Sequence, residues 1–125
     1  MSYKILDKTD KFLKKNHNHM INGNWHNSSN DRILDVINPA TKEVISKVQL
    51  AGKDEVDLAC KSARESFDSG IWKDMTPSNR GKILWKWADL LEDRIEQIIE
   101  VEVIDNGMPV IVAKTFIGWA IDWIR

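Results

Sequence analysis

The spacing of apolar residues changes at Gly52, and this change limits the folds open to the chain more than any other feature. Before Gly52, short apolar clusters are separated by the turn-forming pairs Asn22-Gly23 and Asn38-Pro39. After it, apolar residues recur every three or four positions to the last residue. Short runs between turn residues are typical of strands, and the longer spacing is typical of helices. We therefore predict an α/β fold in which two short β-hairpins are followed by an α-helical run.

The two hairpins are predicted around the two turn-forming pairs. Asn22-Gly23 lies between Met20 and Trp25, and this pair tolerates the positive φ angles of a type I′ turn. Residues 32–37 and 44–48 are rich in β-branched and apolar side chains, which favour strands. Asn38-Pro39 lies between these runs and predicts the turn of the second hairpin.

Residues 1–19 are mostly polar, and we interpret them as a mobile leader with one short helical turn near residues 5–13.

Four helices are predicted after Gly52. The first runs to about Asp68, and the second begins at Thr76-Pro77, where a threonine oxygen caps free N–H groups and proline occupies the first helical position. Asp93 and Glu96 resemble a capping box, which predicts a break near Glu92 and a third helix through Ile104. Asn106-Gly107 predicts a left-handed cap, and residues 110–125 form the fourth helix. The second helix is expected to bury one stripe: Ile83, Leu84, Trp87, Leu90 and Leu91.

The charge balance and the apolar segments exclude some classes of function. With 18 basic and 19 acidic residues, the chain has no net field to attract a polyanion, so we expect no nucleic-acid partner. The most apolar stretch, residues 110–124, is shorter than the roughly 20 residues that a bilayer requires, so we expect no membrane partner. The single cysteine cannot form an internal disulfide, and a reducing, cytoplasmic location is the expectation.

No residue of the chain is predicted to be catalytic or to bind a cofactor. His17, His19 and His26 lack further ligands at metal-site spacing, and we interpret them as surface histidines. Cys60 falls on the apolar face of the first long helix, where a free cysteine is more often a small buried hydrophobe than a nucleophile. The acidic residues of the helical run are interpreted as a solvated helix flank: Glu92, Asp93, Glu96, Glu100 and Glu102.

The order of short motifs resembles the N-terminal segment of the NAD(P)-dependent aldehyde dehydrogenases. The resemblance covers about residues 20–125 and is specific only when its motifs are taken together. They are Met20-Ile21-Asn22-Gly23-Asn24-Trp25, Val36-Ile37-Asn38-Pro39-Ala40-Thr41-Lys42-Glu43-Val44-Ile45, Asp54-Glu55-Val56-Asp57, Ala63-Arg64-Glu65-Ser66-Phe67-Asp68, Trp72, Met75-Thr76-Pro77, Arg80-Gly81, Ala88-Asp89-Leu90-Leu91-Glu92 and Asp105-Asn106-Gly107. Met108 departs from the family, which commonly has lysine before Pro109.

The resemblance implies that residues 20–125 are the entry into a Rossmann-like cofactor domain of a longer, homo-oligomeric enzyme. In the family a cysteine thiolate attacks the aldehyde, hydride passes to the nicotinamide of NAD or NADP, and a glutamate-activated water releases the acid. These catalytic and nucleotide-binding residues belong to later segments of the family's chains, and Cys60 does not match the nucleophile.

The resemblance also implies one binding site in this segment, for a monovalent cation. It would be built from the backbone carbonyls of Val36 and Ile37 and the carboxylate of Asp105. Carbonyl and carboxylate oxygens suit such a hard cation. The competing interpretation is that Asp105 only hydrogen-bonds a turn.

Two hypotheses for function follow from these observations. In the first, the chain is an N-terminal piece of an aldehyde dehydrogenase, because its motifs follow the family's order and its apolar ends have too little of this chain to cover them. It is inactive alone in this hypothesis because no nucleophile is in place. In the second, it is a short interaction or regulatory protein that docks on a partner through its Trp-rich last helix.

Overall fold

The computed structural model describes residues 4–125 and confirms the α/β fold with two hairpins followed by helices. The helices are α1 Asp7–Leu13, α2 Lys53–Asp68, α3 Pro77–Glu92, α4 Ile95–Asn106 and α5 Val110–Ile124. The strands are β1 Asn16–His17, β2 His19–Ile21, β3 Asn24–His26, β4 Ile33–Ile37 and β5 Val44–Gln49.

Strands β2 and β3 form the first predicted hairpin. They pair antiparallel, with Met20 opposite Trp25. The turn residues Asn22 and Gly23 have φ angles of 50° and 74°, as a type I′ turn requires. The local chemistry of Asn-Gly was therefore sufficient to predict this hairpin.

Strands β4 and β5 form the second predicted hairpin, within a three-stranded sheet of order β1-β5-β4. A β-bulge interrupts their antiparallel pairing between Val36 and Ile37. Strand β1 pairs parallel to β5, with Asn16 opposite Lys47, and this strand was not predicted. Only two residues long, β1 carries no periodicity of its own, and its pairing depends on a strand thirty residues away in the chain.

The prediction of a mobile leader over residues 1–19 is wrong for residues 4–19, while its first three residues lie outside the described part. Residues 7–13 form helix α1, which packs on α4 and β5. Thr9 is fully buried and Leu13 nearly so. The Ser46 hydroxyl of β5 donates to the Leu13 carbonyl at 2.7 Å. Contacts with distant elements, rather than local composition, hold this segment.

The ends of the long helices largely follow the predicted capping residues. Thr76 precedes α3, and its Oγ1 accepts from the Asn79 N–H at 3.3 Å. Gly107 ends α4 with a left-handed φ of 74°. The Asp93 capping box is wrong, because Asp93 is the C-cap of α3 and Arg94 precedes α4 without a side-chain cap. The break itself lies after Glu92 as predicted.

The buried apolar residues of the described chain are few, and two of the six are alanines. They are Leu13, Ile21, Ala88, Ile99, Ala113 and Ile121. Helices α3 and α5 pack together, and Arg125 donates to Asp89 and Glu92 of α3. The predicted burial of one stripe of α3 is wrong for Ile83, Leu84, Trp87 and Leu90, which are exposed in this chain. The fifth residue, Leu91, is half-buried.

Glu55 joins the start of α2 to the loop between the two hairpins. It is buried, and its carboxylate accepts from the backbone N–H groups of Gly52 at 2.7 Å and Ser29 at 2.8 Å and from the Ser29 hydroxyl at 3.0 Å. Desolvation raises the pKa of Glu55, but the hydrogen bonds from Gly52 and Ser29 outweigh it, so the pKa lies below its ordinary 4.5. Glu55 follows Gly52 by three residues, which is the spacing of a capping box.

The lowered pKa predicts an acid-sensitive contribution of Glu55 to stability. Because the folded pKa is below the unfolded one, this contribution is fully present above pH 4.5 and is lost as the pH falls through the folded value. Glu55→Gln should therefore lower the urea midpoint of unfolding clearly at pH 7, and the difference from the wild type should shrink steadily as the pH falls below 4.5. Asp54→Asn, which changes an exposed neighbour, is the control. A difference that stays constant with pH would contradict the prediction.

A search of residues 4–125 for membrane-spanning helices finds none that is long and apolar enough.

Candidate functional site

The turn between β4 and β5 is built by Asn38. Its side-chain oxygen accepts from the Ala40 N–H at 2.8 Å, which is an Asx turn. Its backbone N–H donates to the Glu43 carbonyl at 2.9 Å, and its carbonyl accepts from the Lys42 N–H at 2.8 Å. Lys42 takes a left-handed φ of 63°. These bonds fix the shape of the turn that Asn38-Pro39 predicted.

The turn lies against the C-terminal end of α4. A Cβ built on Gly107 would approach the Pro39 Cγ to 2.9 Å, which is closer than a real Cβ contact allows. Glycine is therefore required at position 107 for two reasons: the backbone is left-handed, and the turn approaches too closely to leave room for a Cβ. The Met108 N–H donates to the Asn106 side chain at 2.9 Å, which fixes the start of the loop to α5.

A mostly apolar cleft of about 670 Å³ lies between the Asn38 turn and α4. Ile5 forms part of its wall, so the segment before α1 takes part in it. The other lining residues are Asn38, Ala40, Thr41, Glu43, Ile99, Glu100, Val103, Ile104, Gly107, Met108 and Val110. We refer to this space as the turn cleft.

The three predicted cation ligands lie next in the chain, or nearly so, to residues that line the turn cleft, namely Asn38 and Ile104. Val36 is half-buried, Ile37 is exposed, and both lie in β4 directly before Asn38. Asp105 is exposed in the last turn of α4. The contact of Pro39 with Gly107 brings the two segments together. None of the three side chains lines the cleft itself.

Glu100 has a different role from the predicted solvated flank. It is buried, and it accepts from the Thr9 hydroxyl at 2.5 Å and from the Leu6 N–H at 3.2 and 3.1 Å. Its carboxylate therefore anchors α1 on α4 beside the turn cleft. The position of Glu100 among Ile98, Ile99 and Val101 is a signal of burial that the sequence did carry.

Cys60 and the three histidines considered in the sequence lie apart from the turn cleft. Cys60 is exposed on α2, so its predicted burial is wrong. The three histidines are half-buried, and His19 lies opposite His26 in the first hairpin. Between residues 4 and 125, no three His, Cys, Asp or Glu side chains are grouped closely enough to hold a metal. The absence of a histidine metal site stays a prediction.

The fold and the turn cleft define an α/β segment in which β-hairpins lead into packed helices. A family model described as "Aldehyde dehydrogenase family" matches residues 25–125. Since this match covers most of the sequence, the chain belongs to the aldehyde dehydrogenase family. It corresponds to the N-terminal segment of that family.

Curated relatives are similar over most of this chain but are much longer. "Aldehyde dehydrogenase 1" of Tanacetum cinerariifolium is 43% identical over 94 residues, which are 75% of this chain and 19% of that protein. "Cytosolic 10-formyltetrahydrofolate dehydrogenase" of Xenopus tropicalis is 35% identical over 114 residues, which are 90% of this chain and 13% of that protein. The chain thus spans a fifth or less of the length of these two relatives.

Two solved structures are also similar over nearly all of this chain and are also much longer than it. An aldehyde dehydrogenase from Bacillus cereus (G224D mutant) superposes with a TM-score of 0.91 and 32% identity, over 100% of this chain and 26% of that chain. A structure described as the NAD+ complex of the aldehyde dehydrogenase from that organism gives a TM-score of 0.89, with 32% identity, 98% of this chain and 25% of that chain.

Proposed function

We propose that this chain is the N-terminal segment of an NAD(P)-dependent aldehyde dehydrogenase and has no activity by itself. The observation that carries the proposal is the superposition of the whole chain on 26% of the Bacillus cereus chain. Aldehyde binding, the thiol nucleophile and the nucleotide site would belong to the remaining part of such an enzyme.

The cofactor is proposed to be NAD or NADP, and the complete enzyme is proposed to be a homo-oligomer in the cytoplasm. The NAD+ complex of the Bacillus cereus relative supports a nicotinamide cofactor. The family resemblance supports the oligomer, and a single cysteine, which gives no disulfide argument for secretion, is compatible with the location.

The turn cleft is proposed to lie beside a monovalent-cation site formed by the Val36 and Ile37 carbonyls and the Asp105 carboxylate. One observation fits this group. The contact of Pro39 with Gly107 brings the two ligand-bearing segments close. Bound there, a cation would supply positive charge that holds the two segments together.

The experiment is a chimaera in which this chain replaces the matching quarter of the Bacillus cereus enzyme. When an aldehyde is added, we expect the chimaera to reduce NAD+, which is measured as a rise in absorbance at 340 nm. The 125-residue chain alone should give no rate above that of buffer. A folded chimaera without turnover, or turnover by the isolated chain, would contradict the proposal. In the chimaera, Asp105→Ala should abolish any gain in thermal stability on adding K+ or Na+.

The second hypothesis, a stand-alone interaction protein that docks through its last helix, has no support from the comparisons.

A further inference from the structure

The chain contains two Asn-Gly pairs, and the structure places them in different surroundings. Asn22-Gly23 forms the turn between β2 and β3, and Asn106-Gly107 lies at the C-terminal end of α4. All four residues are exposed to solvent. Because glycine has no Cβ, the main-chain nitrogen after each asparagine is open to the carbon of the asparagine side-chain amide. Both pairs therefore have the groups needed to convert asparagine into aspartate or isoaspartate, and the local structure decides which pair reacts.

The conversion begins inside the Asn-Gly pair and needs only water as a co-reactant. The glycine nitrogen attacks the asparagine Cγ and forms a new C–N bond, the bond from Cγ to Nδ2 breaks, and ammonia leaves with the proton of the glycine N–H. Water then opens the succinimide ring at either carbonyl, which gives aspartate or isoaspartate. Hydrogen bonds that hold the side-chain amide or the glycine N–H in a fixed direction keep the two groups apart and slow the first step.

Asn106 is held in this way at both ends of its amide group. Its Nδ2 donates to Glu102 Oε1 at 2.5 Å, and its Oδ1 accepts from the Met108 N–H at 2.9 Å. The Gly107 N–H donates to the Val103 carbonyl at 3.0 Å. Attack at Asn106 would therefore require these three hydrogen bonds to break.

Asn22 has none of these restraints. Between residues 4 and 125, no hydrogen bond is made by the Asn22 side chain or by the Gly23 N–H, whereas the Asn22 carbonyl accepts from Asn24 Nδ2 at 3.1 Å. A Cβ built on Gly23 would meet nothing within 4 Å, so the space around this residue is open. The hairpin contains only three residue pairs, and a short two-stranded hairpin opens at little cost. Opening lets Asn22 leave its φ of 50° and reach the geometry of attack.

We propose that Asn22 is a site of spontaneous deamidation and isomerisation, at which isoaspartate accumulates, and that the hydrogen bonds of Asn106 protect the second pair. Isoaspartate carries the main chain through its side chain, which adds a methylene group to the turn. The longer main chain no longer fits the two-residue type I′ turn that places Met20 opposite Trp25. Aspartate keeps the normal main chain and is accepted in such turns, so only isoaspartate at this position disrupts the first hairpin.

The experiment follows both pairs in the 125-residue chain during incubation at pH 8, folded in buffer and unfolded in guanidinium chloride. Peptide mapping by mass spectrometry measures the conversion, because each event replaces NH2 by OH. In the folded chain, we expect Asn22 to react at least tenfold faster than Asn106. In guanidinium chloride the two rates should agree within threefold, because the hydrogen bonds that protect Asn106 are absent.

A matched variant tests the protection of the second pair directly. Glu102→Ala removes the acceptor of Asn106 Nδ2. In the folded chain, this variant should raise the rate at Asn106 at least threefold and leave the rate at Asn22 unchanged.

A second measurement distinguishes isoaspartate from aspartate. An isoaspartyl methyltransferase transfers a methyl group from S-adenosylmethionine to the free carboxylate of isoaspartate, and in the aged chain the label should map to residue 22. Amides of β2 and β3 should exchange with solvent at least tenfold faster in the methyl-accepting fraction than in the fresh chain. Asn22→Asp, which places the other product in the turn, should exchange like the fresh chain.

The inference is overturned by equal rates at the two sites in the folded chain, by a preference for Asn22 that persists in guanidinium chloride, by an unchanged rate at Asn106 in Glu102→Ala, or by an aged chain without isoaspartate at residue 22. Unchanged exchange of β2 and β3 in the methyl-accepting fraction would contradict the expected loss of the hairpin.

Discussion

Replacement of Glu100 by alanine is expected to release α1 from the rest of the chain. The Glu100 carboxylate accepts from the Thr9 hydroxyl at 2.5 Å and from the Leu6 N–H at 3.1 Å, and Thr9 is fully buried. Removing the acceptor leaves the buried Thr9 hydroxyl and the half-buried Leu6 N–H without this partner, and a buried donor that loses its acceptor costs about 1–3 kcal/mol. We therefore expect Glu100→Ala to lower the free energy of unfolding by about 2–4 kcal/mol.

The local part of this effect can be measured by hydrogen exchange. In the wild type, the amides of α1 should be protected to a similar degree as those of α4, and in Glu100→Ala the α1 amides should exchange at least tenfold faster than those of α4. Glu96→Ala is the control, because Glu96 lies on the same helix and is exposed. Equal exchange of α1 in both variants would show that Glu100 does not anchor it.

Substitution of Gly107 is expected to disturb the turn cleft and to destabilise the chain. Its φ of 74° belongs to the left-handed region, which costs a residue with a Cβ about 1–2 kcal/mol. The new Cβ would also lie 2.9 Å from Pro39 Cγ, so the Asn38 turn or the end of α4 has to move. We expect Gly107→Ala to lower the free energy of unfolding by about 2 kcal/mol, and Gly107→Val by about 3 kcal/mol.

The chain offers a matched glycine for comparison. Gly81 lies within α3, and a Cβ built there meets nothing within 4 Å. Gly81→Ala should therefore stabilise the chain by about 0.5–1 kcal/mol, because alanine favours a helix. Urea unfolding of the two alanine variants checks the pair. If both alanine variants change the free energy of unfolding equally and in the same direction, then neither the left-handed φ of Gly107 nor its contact with Pro39 affects stability.

Elements with a strong local signal were predicted well. Asn22-Gly23 fixed the first hairpin, Thr76-Pro77 the start of α3, and Gly107 the end of α4, since each depends on the conformations that a few adjacent residues prefer. Strand β1 was missed, and helix α1 was predicted only as a short helical turn within a mobile leader, because both are short and acquire their packing from β5 and α4, which are distant in the chain.

The cation site stays a prediction. The resemblance pointed to the segments around Ile37 and Asp105, and the structure brings those segments together through Pro39 and Gly107. Glu100 was missed because its charge favoured a solvated flank, although it lies among apolar neighbours. A charged residue at a helical position is buried only when donors from another segment, here Leu6 and Thr9, reach it.

The sequence by itself determined where each hairpin turn and most long-helix ends lie, and it determined the family, because these depend on local backbone preferences and on the order of short motifs. The tertiary structure alone decided which helix faces are covered. Ala88 is buried whereas Trp87 beside it is half-exposed, although the apolar pattern favoured the reverse. Periodicity shows that a face is apolar, but burial requires a partner surface, and only the arrangement of α3 and α5 shows which face this chain covers.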